Sequence, residues 1–174
     1  MDTERYLNLL RPLGLDSASR FREEAYARNI GILTKKEQET LAEKTVGIAG
    51  LGGVGGSHLI TLVRAGVGRF HLADFDRFDI VNVNRQYGAK VSNLGIAKLE
   101  AMTEEALSIN PFLQIEGFPE GIAQDDLDRF LTGVDVILDG LDFFAFDIRR
   151  ELFNRSWDKG IPVITAGPIG FSSA

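Results

Sequence analysis

Residues 46–56, Val46-Gly47-Ile48-Ala49-Gly50-Leu51-Gly52-Gly53-Val54-Gly55-Gly56, constrain the fold more than any other stretch of the chain. A short β-branched apolar run passes straight into a glycine-rich turn, and an apolar-periodic helix follows at once. Gly50, Gly52 and Gly55 fit G-x-G-x-x-G. The first permits the tight turn, the second lets a phosphate approach the backbone, and the third lets the helix pack closely on the strand. The N–H groups at the start of such a helix form an anion site. The motif predicts a nucleotide site and by itself leaves NAD, FAD and ATP open.

Around this turn the pattern alternates. Residues 17–30 read as a charged amphipathic helix ending near Gly31, and Thr34-Lys35-Lys36-Glu37 matches a capping box opening a helix to about Lys44. Strand 45–49, helix 53–65 and strand 69–74 follow. A polar loop over 75–93 leads to helix 95–109, whose Ile96, Leu99, Met102, Ala106 and Ile109 trace one face. Asn110-Pro111 stops it. Then come strand 112–118, helix 125–131, strand 134–138, helix 147–159 and strand 161–166. The expected fold is α/β: a Rossmann-like doubly wound, mainly parallel sheet with helices on both faces, preceded by amino-terminal helices. Residues 1–44 form the helical segment and 45–174 the nucleotide-binding domain. The end at Ala174, just after a strand, reads as a truncation on the carboxyl side.

Composition narrows the function. The chain has 174 residues, 44% hydrophobic and 25% charged, and no cysteine. Disulfides, thiolate zinc sites and cysteine nucleophiles are therefore excluded within it. A net charge of −6 argues against nucleic-acid binding driven by overall charge. Met1-Asp2-Thr3-Glu4-Arg5 lacks signal-peptide grammar, and no apolar run approaches membrane-spanning length. The reading is a cytoplasmic protein with no membrane partner.

Asp74 ends the second strand, where an acid accepts hydrogen bonds from ribose hydroxyls. Asp76 follows, its direct ligand role left open. Arg85 and Lys98 come next, in Asn82-Val83-Asn84-Arg85-Gln86 and Gly95-Ile96-Ala97-Lys98. A dinucleotide dehydrogenase has no general need for this cationic pair. A nucleoside triphosphate does, because its charge must be cancelled before an anionic nucleophile approaches. Arg85 can fork onto two phosphate oxygens, and Lys98 supplies a point charge. Strand 134–138 ends in Asp139-Gly140-Leu141-Asp142, where a carboxylate suits Mg²⁺ bridging phosphates. Asp142 is the better metal ligand, with Asp139 an alternative that satisfies backbone groups in the turn. His58 and His71 read as packing or hydrogen-bonding groups. Trp157, Phe144 and Phe146 read as core in preference to a partner surface, and Ser172-Ser173 as a flexible tail without triad partners.

The series Gly50-x-Gly52-Gly53-x-Gly55, Ala65-Gly66-Val67-Gly68, Asp74-x-Asp76, Asn82-x-Asn84-Arg85-Gln86, Gly95-x-x-Lys98, Asn110-Pro111 and Asp139-x-x-Asp142 resembles the ThiF/MoeB/HesA family of ubiquitin-activating-like adenylyltransferases, from about Ala27 to Gly170. The resemblance implies a site for ATP and Mg²⁺. Asp74 would hold the ribose, Asn82, Arg85 and Lys98 the phosphates, and Asp142 the metal. It also implies a homodimer, with the family's amino-terminal arginine, which crosses to the neighbouring ATP, at Arg28. Family members commonly adenylate the Gly-Gly carboxylate of a ubiquitin-fold or sulfur-carrier protein. Phe143 departs from the polar residue many relatives carry after the metal aspartate, which bears on the substrate. The family's cysteines normally lie farther along than residue 174, and this chain alone forms no thioester.

The favoured expectation is thus an ATP-dependent adenylyltransferase domain that makes an acyl adenylate. Three alternatives stand behind it: a relative activating a small-molecule, peptide or tRNA-attached carboxylate; a non-catalytic nucleotide-binding scaffold subunit; and, last, an NAD-dependent oxidoreductase.

Overall fold

β1 (Thr45–Ala49) is buried at all five positions, as a strand at the centre of a sheet covered on both faces must be. In the computed structural model, which describes residues 3–169 and 172–173, it pairs in parallel with β2 (Arg69–Ala73) on one side and β4 (Val136–Asp139) on the other. β3 (Gln114–Phe118) extends the sheet beyond β2, and β5 (Val163–Thr165) beyond β4, giving the all-parallel order β3-β2-β1-β4-β5. The chain reverses its direction of travel between β3 and β4. The carboxyl ends of β1 and β4 therefore lie side by side at the switch point, where open α/β sheets bind ligands.

The connecting helices divide between two layers. α4 (Gly53–Ala65) and α5 (Lys98–Ile109) bring Leu59, Val63, Met102 and Ala106 onto Val46, Ile48, Phe70 and Leu72. α6 (Gln124–Leu131) and α7 (Phe146–Asp158) bring Leu127, Phe130 and Leu152 onto Ala49, Ala73 and Ile137. A fully buried Leu or Phe is worth about 1.5–3 kcal/mol, so these two layers, and not strand propensity, hold strands of three to five residues in place.

Upstream lie α1 (Glu4–Leu10), α2 (Ala18–Ala25) and α3 (Lys35–Glu43). The expected capping box opens α3, with the Glu37 N–H donating to Thr34 Oγ1 and the Thr34 N–H to Glu37 Oε2. The stretch from Tyr26 into α3 closes the carboxyl end of α4, while α1 donates from Tyr6 Oη to Glu104. Tyr26 Oη donates to the Val63 carbonyl at 2.9 Å, and Asn29 Nδ2 and Gln38 Nε2 donate to the Ala65 carbonyl. Side chains thus satisfy carbonyls that the helix end leaves without partners.

Several boundaries differ from the sequence reading. The helix expected over 17–30 breaks at Tyr26 and resumes as a 3₁₀ turn, Ala27–Asn29, because Tyr26 and Asn29 are drawn onto α4. α5 begins at Lys98, not residue 95: Gly95 has φ +80°, and Ala97 is bridged to Arg77. α1 was not anticipated. Ser172–Ser173 is not a loose tail, since it pairs antiparallel with Pro168–Ile169. Met1, Asp2, Gly170, Phe171 and Ala174, which the sequence reading assigns to the two chain ends, lie outside the described residues. Among the described residues no helix is long and apolar enough to cross a membrane.

Candidate active site

The glycine turn is welded into the sheet edge. The Gly50 N–H donates to the Ala73 carbonyl at 2.8 Å, and Gly50 takes φ +91°, open to glycine at little cost. A Cβ at Gly55 would collide with the Gly50 carbonyl, and one at Gly50 with the Gly140 carbonyl. Gly140, which sequence reasoning passed over, is as tightly placed: its own Cβ would stand 2.7 Å from the Gly50 carbonyl oxygen. At Gly52 the protein leaves room, the nearest atom being Gln86 Nε2 at 3.6 Å from a Cβ.

Asp74 joins this turn to the next loop. Its Oδ2 accepts the Leu51 N–H at 2.7 Å and its Oδ1 the Asp76 N–H at 2.8 Å. Burial pushes its carboxyl above the usual range, against the lowering effect of both N–H groups and of the Lys98 charge. Asp76 is turned towards Lys98, with Oδ2 accepting from Nζ at 2.8 Å. Lys98 is 6% exposed, so this cation is held in the wall of the site.

The polar loop folds back alongside. Asn82 is buried, and its Oδ1 accepts the Asp79 N–H in a reciprocal cap of the 3₁₀ turn Ile80–Asn82. Its carbonyl accepts the N–H groups of Arg85 and Gln86. Asn82 thus shapes the turn that carries Arg85. Arg85 is exposed and bonds through Nη1 to the Val81 carbonyl and Asn84 Oδ1. Its own carbonyl would lie 3.2 Å from a Cβ at Gly53, which sets the residue against the glycine turn. Gln86 is buried beside Gly52, its Oε1 unpaired among the described residues.

Across the switch point, Asp139 does serve the turn: Oδ1 accepts the Leu141 N–H and Oδ2 a bond from Arg149 Nε. Asp142 is exposed, with Oδ1 accepting the Phe144 N–H at 3.0 Å. Among the described residues no three His, Cys, Asp or Glu side chains gather as a metal cage. The donor set still fits Mg²⁺, which uses one or two carboxylates together with substrate phosphates. Phe144 and Phe146, together with Phe143, correct the core reading made for the first two. They pack on one another at 5.3–6.4 Å between centroids yet stand 58–78% exposed. Trp157 is exposed as well. His71 hydrogen-bonds through Nδ1 to the Phe130 carbonyl, as a structural histidine should. His58 Nδ1 is buried without a hydrogen-bond partner among the described residues.

Gly50, Gly52, Gly53, Gly55, Asp74, Asp76, Asn82, Arg85 and Lys98 thus form one connected edge, with Asp142 two residues beyond the Gly50–Gly140 contact. Arg28 is not brought to it. It follows Tyr26 at the far end of α4, about 18 Å from the glycine turn by helical rise. Arg149 is the site residue sequence reasoning missed. Only its position ten residues after Asp139, in the first turns of a helix, could have pointed to it.

Sheet order, glycine turn and strand-end acids define a nucleotide-binding α/β domain. The chain belongs to the ThiF family, whose model matches residues 26–174. The tRNA threonylcarbamoyladenosine dehydratase of Bacillus subtilis (strain 168) is 33% identical over 142 residues, covering 81% of this chain and 55% of that protein. The adenylyltransferase and sulfurtransferase UBA4 of Lodderomyces elongisporus is 30% identical over 131 residues, 75% of this chain and 28% of that one. The crystal structure of the Escherichia coli dehydratase TcdA in complex with ATP superposes with a TM-score of 0.80 at 25% identity, covering 88% of this chain and 63% of that one. The chain spans about half the length of the dehydratase relatives it matches.

Proposed function

We propose that this chain is an ATP-dependent adenylyltransferase domain that activates a carboxylate. The observation carrying the proposal is the placement of Lys98, Asp76 and Arg85 against the glycine turn, in a family whose solved relatives include ATP and AMP complexes. Each Asp74 oxygen spends one lone pair on a backbone N–H and retains capacity for ribose hydroxyls. The room at Gly52 leaves backbone open to phosphate. Arg85 keeps Nε and Nη2 free of hydrogen bonds among the described residues, and these can fork onto phosphate oxygens.

In the reaction, a carboxylate oxygen attacks the α-phosphorus, the bond to the bridging β-phosphate oxygen breaks, and pyrophosphate departs with that electron pair. No proton is transferred, since the carboxylate is already ionised at neutral pH. The chain's work is alignment and charge cancellation. Mg²⁺, held by Asp142, would add positive charge at the phosphates. The acyl donor is the Gly-Gly terminus of a ubiquitin-fold or sulfur-carrier protein, by kinship with proteins such as UBA4.

A second reading takes a tRNA-attached carboxylate as donor. The dehydratases favour it, by both sequence and fold; the net charge of −6 weighs against it. Calorimetry with ATP·Mg and NAD on one preparation tests the nucleotide. ATP·Mg should bind at least tenfold tighter, about 1.4 kcal/mol, and equal or tighter NAD binding would refute the proposal. Pyrophosphate exchange stimulated by a Gly-Gly carrier or by tRNA then separates the donors.

A further inference from the structure

We infer that Arg149 is a positioning residue that holds the 140–144 loop in the shape presenting Asp142, resting on the reading of Asp142 as the metal ligand. One guanidinium gathers the whole turn. Nε donates to Asp139 Oδ2 at 2.8 Å, Nη2 to the carbonyls of Leu141 at 2.9 Å and Asp142 at 3.0 Å, and Nη1 to that of Phe143 at 3.0 Å. Three consecutive carbonyls thus face a single cation, itself anchored on a carboxylate whose side chain is 0% exposed.

Burial fixes this loop only at Leu141, which is half-buried against the second core layer, and not beyond it. The side chains that follow Asp142, Phe143 and Phe144, are 72% and 78% exposed and lend it little packing energy. Two further bonds set Asp142 within the turn: its Oδ1 accepts the Phe144 N–H, and its carbonyl the Ala145 N–H. Asp142 Oδ2 has no hydrogen-bond partner among the described residues, which leaves one oxygen for a cation. The other end of the loop is fastened where the Gly140 N–H donates to the Ala49 carbonyl at 2.8 Å. Arg149 and Gly140 together set the position of Asp142 relative to the glycine turn. Only a planar fork reaches four acceptors at once; an ammonium with three donors on a flexible stem does not.

The test is the Mg²⁺ dependence of ATP binding, titrated by calorimetry for wild type, Asp142→Asn, Arg149→Lys and the double variant, with ATP binding in EDTA as reference. Lysine keeps the charge opposite Asp139 and loses the carbonyl clamp. Arg149→Lys should raise the Mg²⁺ half-saturation about tenfold, the lower end of losses from groups supporting a metal ligand. Its ATP affinity in EDTA should stay within about twofold of wild type. In the Asp142→Asn background it should add nothing, because the ligand it positions is gone. Should Arg149→Lys fail to fold, the neutral pair Asp139→Asn/Arg149→Gln removes the buried charge from both sides, with the same shift expected. A shifted Asp142→Asn beside an unshifted folded Arg149 variant overturns the positioning role. So does an equal loss with and without Mg²⁺. An unshifted Asp142→Asn instead overturns the metal reading on which the role rests.

Discussion

Asp74 orients the glycine turn through Leu51 from a partly buried position, and under the proposed function it also offers acceptors to the ribose. Burial raises its carboxyl, so the folded chain binds that proton more firmly than the unfolded one. Ionised Asp74 therefore costs stability at neutral pH and ceases to cost it as pH falls below the unfolded value, a pattern common where function sets the residue. Asp74→Ala should weaken ATP binding by about 1–3 kcal/mol, and 2′-deoxy-ATP should lose little more in that variant. Full additivity in this double cycle would remove the ribose contact. Wild-type affinity should also fall on acidification at a higher pH than an ordinary aspartate near 3.9 would give, a step the Ala variant lacks. Sequence alone placed Asp74 because a strand-end acid after a glycine turn has fixed geometry. It could not place Arg149, whose partners are backbone carbonyls with no signature of their own. Nor could it see that Lys98 is buried, since the partner that holds its ammonium, Asp76, stands 22 residues upstream.

The two strand ends of the switch point meet glycine to glycine, and that contact sets the spacing of β1's turn and β4's loop. Gly140→Ala would press a methyl 2.7 Å from the Gly50 carbonyl oxygen, a backbone atom that cannot swing aside. It should cost about 1–3 kcal/mol of stability, as overpacking does, and weaken ATP binding by displacing the glycine turn. Gly167→Ala, with nothing within 4 Å of its Cβ, should change neither. Thermal unfolding and calorimetry on the pair decide; a silent Gly140→Ala would show that the turns are not coupled. The alternation of strands and helices was legible because each element's period follows from burying one or both faces. The boundaries at Tyr26 and Lys98 were not, because tertiary hydrogen bonds to α4 and a bridge between Arg77 and Ala97 override local helical preference. Phe144, Phe146 and Trp157 misled for a related reason. Aromatic composition predicts burial on average, while these rings stand 58–85% exposed.

The stretch from Tyr26 to Gln38 locks onto the far end of α4, and that placement gives the dimer expectation a geometric form. Arg28 is exposed and its side chain makes no hydrogen bond or ion pair among the described residues. Asn29, its neighbour, is bonded to the Ala65 carbonyl, while the glycine turn opens the opposite end of the same helix. Separated from its own site by the length of α4, about 18 Å, Arg28 can meet a phosphate only in another copy. We propose that a twofold dimer completes each ATP site with Arg28 of the neighbour, an exchange that symmetry makes reciprocal. An arginine supplied in trans is an established way to stabilise phosphoryl charge. The measurement mixes two inactive variants of the full-length protein, Arg28→Ala and Lys98→Ala, and follows pyrophosphate exchange. After random exchange half the dimers are mixed, and each has one site with Lys98 from one subunit and Arg28 from the other. Activity should then return to about a quarter of wild type. If Arg28 serves its own subunit, every site in the mixture lacks one cation and no activity returns; if it serves none, Arg28→Ala is active by itself.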